Sequence, residues 1–341
     1  MRYFSIADLF CVEIESQESS AILSYLLGEW HHHECKRLTL PVAGRITVRE
    51  VCLPPNACEL RKNVLFETSN ELYIRSGYAW MRLQCDPGSF SLDVGEGSSP
   101  EMTYFTIEML CRMYSPDYGA AFIHASAFIL NSRTYVVSAF GGAGKTEVMI
   151  YHLLKGASFV ADDFAIVDEK GRVFPYTKRV NLCEYPYNAA MLKRTHRSPV
   201  LWRTMQYCRK HSNFITTRLE SRLESQYFGL KLDYTDLAMT KTPLKWYVPD
   251  CFVWLQSSDN TGKTAVTAMD YAEKMGLCLD IESRRYFDYD GYLRLKYPFL
   301  NKKKEVRNQI LKNVATATTL RGVCVKGRDF DAVAEYIIHL K

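Results

Sequence analysis

The chain has 341 residues, of which 47% are hydrophobic and 24% are charged, and its formal net charge is +5. This length predicts about two domains, and the composition is typical of a globular protein with a buried core. The small net charge argues against a nucleic-acid partner, and no apolar run approaches the roughly 18 residues of a membrane span. Eleven scattered cysteines without a C-x-x-C pair, and an N-terminus unlike a signal peptide, predict a reduced, cytoplasmic protein.

The first hundred residues show the residue alternation of β-strands. A turn-rich break at Asp93–Pro100 follows, and then apolar spacing that predicts a helix over Glu101–Tyr114, with Ser99-Pro100 as its start. We therefore predict a smaller β-rich N-terminal domain at residues 1–100, for acceptor recognition or regulation, and a second domain at residues 101–341. The predicted strands of the first domain are Arg45–Leu53, Leu72–Ser76, Ala79–Cys85 and Ser89–Val94.

From Ala120 onwards, predicted strands alternate with helices, which indicates an α/β fold. The strands are predicted at Phe122–Leu130, Thr134–Ala139, Ser158–Ala161, Ala165–Asp168, Cys251–Gln256 and Ala265–Met269, and the first helix at Glu147–Leu154. A later segment, Lys193–Arg222, is rich in basic residues with aromatic residues between them. Three interpretations stay open for it: a surface for an acidic acceptor, a lid, or a solvated helical face.

The strongest motif is a strand that runs into Ala139–Thr146 (AFGGAGKT), after which a helix begins at once. This order matches the context of a phosphate-binding Walker A loop, with Ala139 in the place of the usual first glycine. Glycines allow backbone N–H groups to turn inward around phosphate oxygens, and the helix N-terminus adds partial positive charge. The predicted nucleotide-binding residues are Gly141, Gly142, Ala143, Gly144, Lys145, Thr146 and Glu147.

Within this loop, we expect Lys145 to reach the β- and γ-phosphates and the Thr146 hydroxyl to bind Mg²⁺. Glu147 is either an outer carboxylate of the metal site or an acid favoured in a first helical turn.

Asp162 and Asp163 directly follow a short apolar strand, sixteen and seventeen residues after Thr146. The carboxyl end of a parallel strand would bring them to the edge of the sheet that carries the loop. Because neighbouring side chains on a strand point to opposite faces, we expect one acid to serve the metal and the other to act as a base. The sequence does not say which acid has which role, although Asp162 is our candidate metal ligand with Thr146. His124, predicted in mid-strand, is a candidate to orient the acids.

Lys178 and Arg179 follow the acidic strand by a short hairpin. They are candidates to contact the transferred phosphoryl group or the acceptor, because negative charge gathers on that group in the transition state. An ordinary charged hairpin is the alternative interpretation.

The run from His124 to Asp168 resembles the catalytic domain of the HPr kinase/phosphorylase-like family. The shared features are a strand led by histidine, a hairpin, a loop ending in G-K-T-E and a strand ending in V-A-D-D. The resemblance implies a P-loop fold related to phosphoenolpyruvate carboxykinase, with a mixed sheet, and it implies Asp162 and Asp163 as metal-associated acid and base beside His124.

The HPr-directed members of that family also carry an I-E-x-R-G-x-G signature, which this chain lacks; its Phe174–Asn188 reads FPYTKRVNLCEYPYN. The likeness therefore extends better to the divergent members that phosphorylate free serine or ribosomally made peptides, and it leaves HPr recognition and the reverse phosphorylase activity unsupported.

These observations predict a kinase that uses ATP, or another nucleoside triphosphate, and Mg²⁺ to phosphorylate a serine-type hydroxyl. The acceptor would be a peptide, a protein or a small molecule. No nucleic acid and no membrane is expected as a partner, and the resemblance implies a homo-oligomer. The alternatives are a nucleotide-binding regulatory or scaffold protein, and an ATPase without a phosphoryl acceptor.

Overall fold

The structure is a computed structural model that describes residues 1–35, 40–181, 200, 203–204, 207–208, 211, 231–233, 246–258, 262–286, 289–326 and 330–340. Almost all of the basic segment Lys193–Arg222 lies outside these residues. No helix in the described part of the chain is long and apolar enough to cross a membrane.

The strands, in chain order, are β1 (Arg2–Ile6), β2 (Phe10–Glu15), β3 (Glu34–Cys35), β4 (Val42–Val48), β5 (Cys58–Arg61), β6 (Leu65–Glu67), β7 (Leu72–Ser76), β8 (Ala79–Asp86), β9 (Ser89–Val94), β10 (Ala120–Ile123), β11 (Ala125–Leu130), β12 (Arg133–Ser138), β13 (Ser158–Ala161), β14 (Ala165–Asp168), β15 (Val173–Phe174), β16 (Val180–Asn181), β17 (Lys231–Leu232), β18 (Cys251–Ser258), β19 (Gly262–Thr264) and β20 (Leu320–Lys326). The helices are α1 (Ala21–Trp30), α2 (Pro100–Tyr114), α3 (Lys145–Leu154), α4 (Ala268–Tyr286), α5 (Asp290–Lys296), α6 (Phe299–Ala317) and α7 (Phe330–Ile338).

The chain forms two compact units, and each is discontinuous in sequence. The first contains Met1–His124, Ile166–Tyr176 and Thr267–Thr318, and the second contains Ala125–Ala165, Thr177–Val266 and Thr319–Lys341. The predicted boundary at residue 100 falls inside the first unit, because the first segment of that unit runs to His124.

The first unit is built on a nine-stranded sheet in the order β3-β1-β2-β4-β9-β8-β7-β6-β5. The three central neighbours β2, β4 and β9 are parallel, whereas the outer pairs are antiparallel. Buried polar groups join two of its helices to a later segment: the Trp30 indole donates to the Tyr176 hydroxyl at 3.1 Å, and the hydroxyls of Tyr176 and Tyr104 donate to Glu108 at 2.9 and 2.8 Å. The two tyrosine hydroxyls thus provide hydrogen bonds to the Glu108 carboxylate, which is buried, with this residue only 1% exposed.

The second unit contains a six-stranded sheet in the order β13-β11-β12-β18-β20-β19. Strand β12 is parallel to β18, and β18 to β20, while β11 is antiparallel to both β12 and β13. Because β11 is antiparallel to both of its neighbours, β13 runs in the same direction as β12. The helices α3 and α7 contribute to one buried apolar cluster with this sheet, which includes Val137, Val148, Val253, Val323 and Val333.

The described residues thus form an α/β structure with mixed sheets, as predicted. The predicted strand Arg45–Leu53 corresponds to β4, which ends at Val48. Two further element predictions were wrong. The predicted strand Phe122–Leu130 is two strands, interrupted at His124. The predicted strand Ala265–Met269 is a loop and the start of α4, because Thr267 and Asp270 exchange hydrogen bonds between side chains and backbone amides, as in a capping box.

Candidate functional site

The segment between β12 and α3 has the backbone of a tight loop that opens directly into a helix. Gly142 and Gly144 have φ angles of 78° and 95°, a conformation that glycine adopts without steric cost. Ala139 is buried and has no positive φ, so a methyl group is compatible with the place of the usual first glycine. Backbone geometry therefore allows the predicted loop despite this substitution.

Lys145 and Thr146 are the first two residues of α3, and they are 6% and 5% exposed. The N–H groups of a first helical turn have no partner within the helix, and the helix dipole places partial positive charge there. A lysine held at this point adds a full positive charge. Together these groups give the N-terminal end of α3 a concentration of positive charge, which favours an anion there.

Asp162 follows β13 and contacts a neighbouring strand and the helix after the loop through one carboxylate oxygen. Its Oδ1 accepts hydrogen bonds from the Thr146 hydroxyl at 2.8 Å and from the Ser126 hydroxyl at 2.5 Å. Thr146 belongs to α3 and Ser126 to β11. The carboxylate is thereby fixed beside the threonine that follows the loop lysine, an arrangement of oxygen atoms that could hold a divalent cation.

Burial dominates the ionisation of Asp162, which is 4% exposed. It raises the pKa of this carboxyl above the usual aspartate value, and the neighbouring Asp163 charge raises it further. The hydrogen bonds from Ser126 and Thr146 and the charge of Lys145 act in the opposite direction and lower the pKa. A divalent cation at this carboxylate would favour its ionised form.

Asp163 differs from its neighbour in both conformation and environment. Its φ angle is 64°, and the N–H of Phe164 bonds to the carbonyl of Asp162 at 2.8 Å across it, the pattern of a γ-turn with positive φ. The Asp163 side chain is 39% exposed, and its Oδ2 accepts a hydrogen bond from Lys178 Nζ at 2.7 Å. A sharp backbone turn thus gives the two adjacent acids different surroundings: Asp162 is buried, whereas Asp163 is partly exposed and paired with Lys178.

The turn at Asp163 is held by the strand beside it. The N–H of Ala125, the first residue of β11, donates to the Asp163 carbonyl at 3.2 Å. Lys178 is itself well packed, with its side chain 9% exposed and its Nζ 5.0 Å from the centre of the Phe164 ring. Backbone strain of this kind persists only where surrounding contacts hold it, and it is common at functional residues.

His124 lies between β10 and β11 rather than in mid-strand, and it is 3% exposed. Within the first unit, its Nδ1 is 3.0 Å from Cys278 Sγ and its backbone N–H donates to Met275 Sδ at 3.3 Å. These contacts hold the imidazole against α4. Its predicted action on the acids stays a prediction.

The other predicted residues are located as follows. Glu147 is partly buried in the first turn of α3, and Arg179 is partly buried beside Lys178. Gly141 is exposed and has no positive φ, and Ala143 donates its N–H to the Phe140 carbonyl at 3.4 Å.

Sequence reasoning missed Ser126. It is a fully buried hydroxyl in an otherwise apolar strand, and a buried polar side chain is the informative exception in such a strand. Its partner was not predictable, because the contact depends on β11 lying between β12 and β13. The sequence also gave no indication that Trp254 of β18 packs edge-on against Phe140 of the loop, with ring centres 5.3 Å apart.

No family profile matches the chain, and no curated protein is similar enough to it to indicate a family.

Proposed function

We propose that the protein is a Mg²⁺-dependent phosphotransferase that moves the γ-phosphoryl group of ATP, or of another nucleoside triphosphate, to a serine-type hydroxyl of a peptide, a protein or a small molecule. The proposal follows the resemblance to HPr-kinase-like proteins and their P-loop fold. The observation that carries it is the 2.8 Å hydrogen bond between Thr146 and Asp162, which joins the loop to the acid pair.

In this proposal, one set of groups binds the phosphates and another binds the metal ion. Lys145 and the amides at the start of α3 would bind the phosphates, because they combine a full positive charge with a helix N-terminus. Thr146 and Asp162 would hold Mg²⁺, which prefers few protein oxygens and keeps several waters. The buried position of Asp162 supports this role, since a carboxylate shielded from water binds a cation more strongly.

Asp163 is the proposed base. Its carboxylate is more exposed than that of Asp162 and can meet an acceptor that arrives from solution. As the acceptor oxygen bonds to the γ-phosphorus and the bond to the leaving diphosphate breaks, the hydroxyl proton passes to Asp163. Lys178, which holds this carboxylate at 2.7 Å, is positioned to offset negative charge on the transferred group.

The test measures nucleotide binding and phosphoryl transfer separately, on Lys145→Ala and Asp163→Asn. Lys145→Ala should weaken nucleotide binding by roughly 10- to 150-fold, the effect of losing a hydrogen bond to a charged group of about 1.5–3 kcal/mol. Asp163→Asn should leave binding intact and lower transfer by about 10²- to 10⁴-fold. Lys170→Ala, in an exposed turn, is the matched control and should change neither.

The acceptor is found by mass spectrometry for a new phosphate on candidate peptides and hydroxyl compounds. Nucleotide consumption that does not depend on any acceptor would favour the ATPase alternative. Tight binding without consumption would favour a regulatory protein. Unchanged binding and transfer in Lys145→Ala would refute the proposed site.

A further inference from the structure

Phe140 is the only large side chain in the loop that leads from β12 to α3. Between Ser138 and Lys145 the chain reads Ala-Phe-Gly-Gly-Ala-Gly, so every other side chain there is a hydrogen atom or a methyl group. Such residues offer little surface for packing, and glycine loses more conformational freedom on folding than any other residue. A loop of this composition is costly to keep in one conformation unless another contact holds it.

The Phe140 side chain packs on Trp254 of β18. The two rings meet edge to face, with their centres 5.3 Å apart and their planes at 88°. Aromatic pairs prefer this arrangement, which is favourable beyond the burial of apolar surface alone. Trp254 is 1% exposed, whereas Phe140 is half-buried, so a residue of the loop packs on a buried residue of the sheet.

The register of the sheet brings Trp254 to the start of the loop. Strands β12 and β18 are parallel, and Trp254 is paired with Ser138, the last residue of β12. Its neighbours Val253 and Leu255 belong to the apolar cluster to which α3 contributes. Because side chains alternate along a strand, Trp254 points to the other face of the sheet. The chain between β12 and α3 is therefore held by Phe140 on one face and by α3 on the other.

The backbone of Phe140 takes part in the first turn of the loop. Its carbonyl accepts a hydrogen bond from the Ala143 N–H at 3.4 Å, across the two exposed glycines Gly141 and Gly142. A bond of this length is weak. The ring contact with Trp254 is therefore the stronger restraint on Phe140, and its loss would leave the turn poorly held.

We infer that Phe140 is a positioning residue, whose ring, packed on Trp254, keeps the loop ready to bind the phosphates of a nucleotide. The inference rests on the proposed function, because it takes this loop as the nucleotide site. A protein whose binding-competent conformation is only partly populated binds with an affinity reduced by that fraction. Loss of the ring contact should therefore weaken nucleotide binding, although Lys145 and the start of α3 remain in place.

The first measurement is amide hydrogen exchange of the full chain without nucleotide. In Phe140→Ala, the peptide that covers Ala139–Thr146 should exchange faster than in the wild type, because the loop opens more often. Phe140→Tyr keeps the ring and should exchange as the wild type does. Trp246→Ala is the control, because it removes a partly exposed aromatic side chain that precedes β18, and it should leave the exchange of this peptide unchanged.

The second measurement is calorimetry with Mg²⁺ and a non-hydrolysable ATP analogue. Phe140→Ala should weaken binding about two- to twelvefold, which is the equivalent of an edge-to-face aromatic contact. Phe140→Tyr and Trp246→Ala should bind as the wild type does, and circular dichroism should show that each variant keeps the fold.

The inference is overturned if Phe140→Ala leaves either the exchange of the loop or the nucleotide affinity unchanged, or if Phe140→Tyr loses as much affinity as Phe140→Ala. Unchanged binding in Lys145→Ala is a different result. It would refute the proposed site, while the exchange of the loop would still show whether Phe140 anchors it.

Discussion

The hydroxyl of Ser126 provides a sensitive test of the acid site, because it touches Asp162 without belonging to the loop. Its hydrogen bond to Oδ1, 2.5 Å long, favours the ionised carboxylate and opposes the effect of burial on the pKa. Ser126→Ala removes this bond and leaves Thr146 as the other donor. We expect the pKa of Asp162 to rise, and Mg²⁺ to compete less well with protons.

The magnitude follows from the type of bond. A hydrogen bond to a charged group contributes about 1.5–3 kcal/mol, and one pH unit corresponds to 1.36 kcal/mol. The acidic limb of Mg²⁺-nucleotide binding should therefore move upwards by about one to two pH units in Ser126→Ala, with little change at high pH.

The assay is nucleotide affinity from pH 4 to 9 at fixed Mg²⁺. Thr134→Val is the control, since this buried residue lies at the other end of β12 from the loop, and its profile should match that of the wild type. A Ser126→Ala profile that coincides with the wild-type profile would refute the reasoning, because Asp162 would then have no influence on metal binding.

Two further predictions concern stability. Burial raises the pKa of Asp162 in the folded state, so ionisation of this carboxyl destabilises the fold as pH rises above the pKa of the unfolded state. Asp162→Asn should therefore raise the melting temperature at pH 7. The gain should vanish near pH 3, where the carboxyl is protonated in both states. A variant that melts below the wild type at pH 7 would contradict this. Burial lowers the pKa of His152 to about 4, so the neutral imidazole is compatible with the fold above pH 6.5. As pH falls from 6.5 towards 4, the free energy of unfolding should decrease by at most about 3 kcal/mol. His152→Gln should reduce this loss in urea denaturation; an unchanged pH dependence would assign it to other groups.

The sequence was informative where the signal is local. Strand Ser89–Val94 and helix α2 were predicted with bounds within one residue, because Ser99 caps the helix by accepting from the Met102 N–H and Pro100 suits its first turn. The loop was equally clear, because glycines, a lysine and a helix start occur in one short run. At Ala268 the same kind of signal is present, since Thr267 and Asp270 form a capping box, and the predicted strand Ala265–Met269 does not take it into account.

Local sequence patterns do not predict contacts between segments that are distant in the chain. The hydrogen bond from Ser126 to Asp162 depends on the order of three strands, and nothing near either residue encodes that order. The ion pair of Asp163 with Lys178 is not predictable from the sequence either, because the sequence indicates for Lys178 only a contact with the phosphoryl group or the acceptor, or an ordinary charged hairpin. The contacts of Tyr176 are equally hard to predict, because its hydroxyl bonds to Glu108 and Trp30, which are 68 and 146 positions earlier in the chain.

The left-handed backbone at Asp163 restricts that position before any chemistry is considered. Most residues lose about 1–2 kcal/mol in this region of φ, whereas glycine, asparagine and aspartate tolerate it. Of these three, aspartate alone carries a carboxylate. A glutamate would supply the acid but resist the turn, and an alanine would change the shape and the charge together. Asparagine keeps the turn and removes only the charge, which makes it the substitution that isolates the chemical contribution of this side chain.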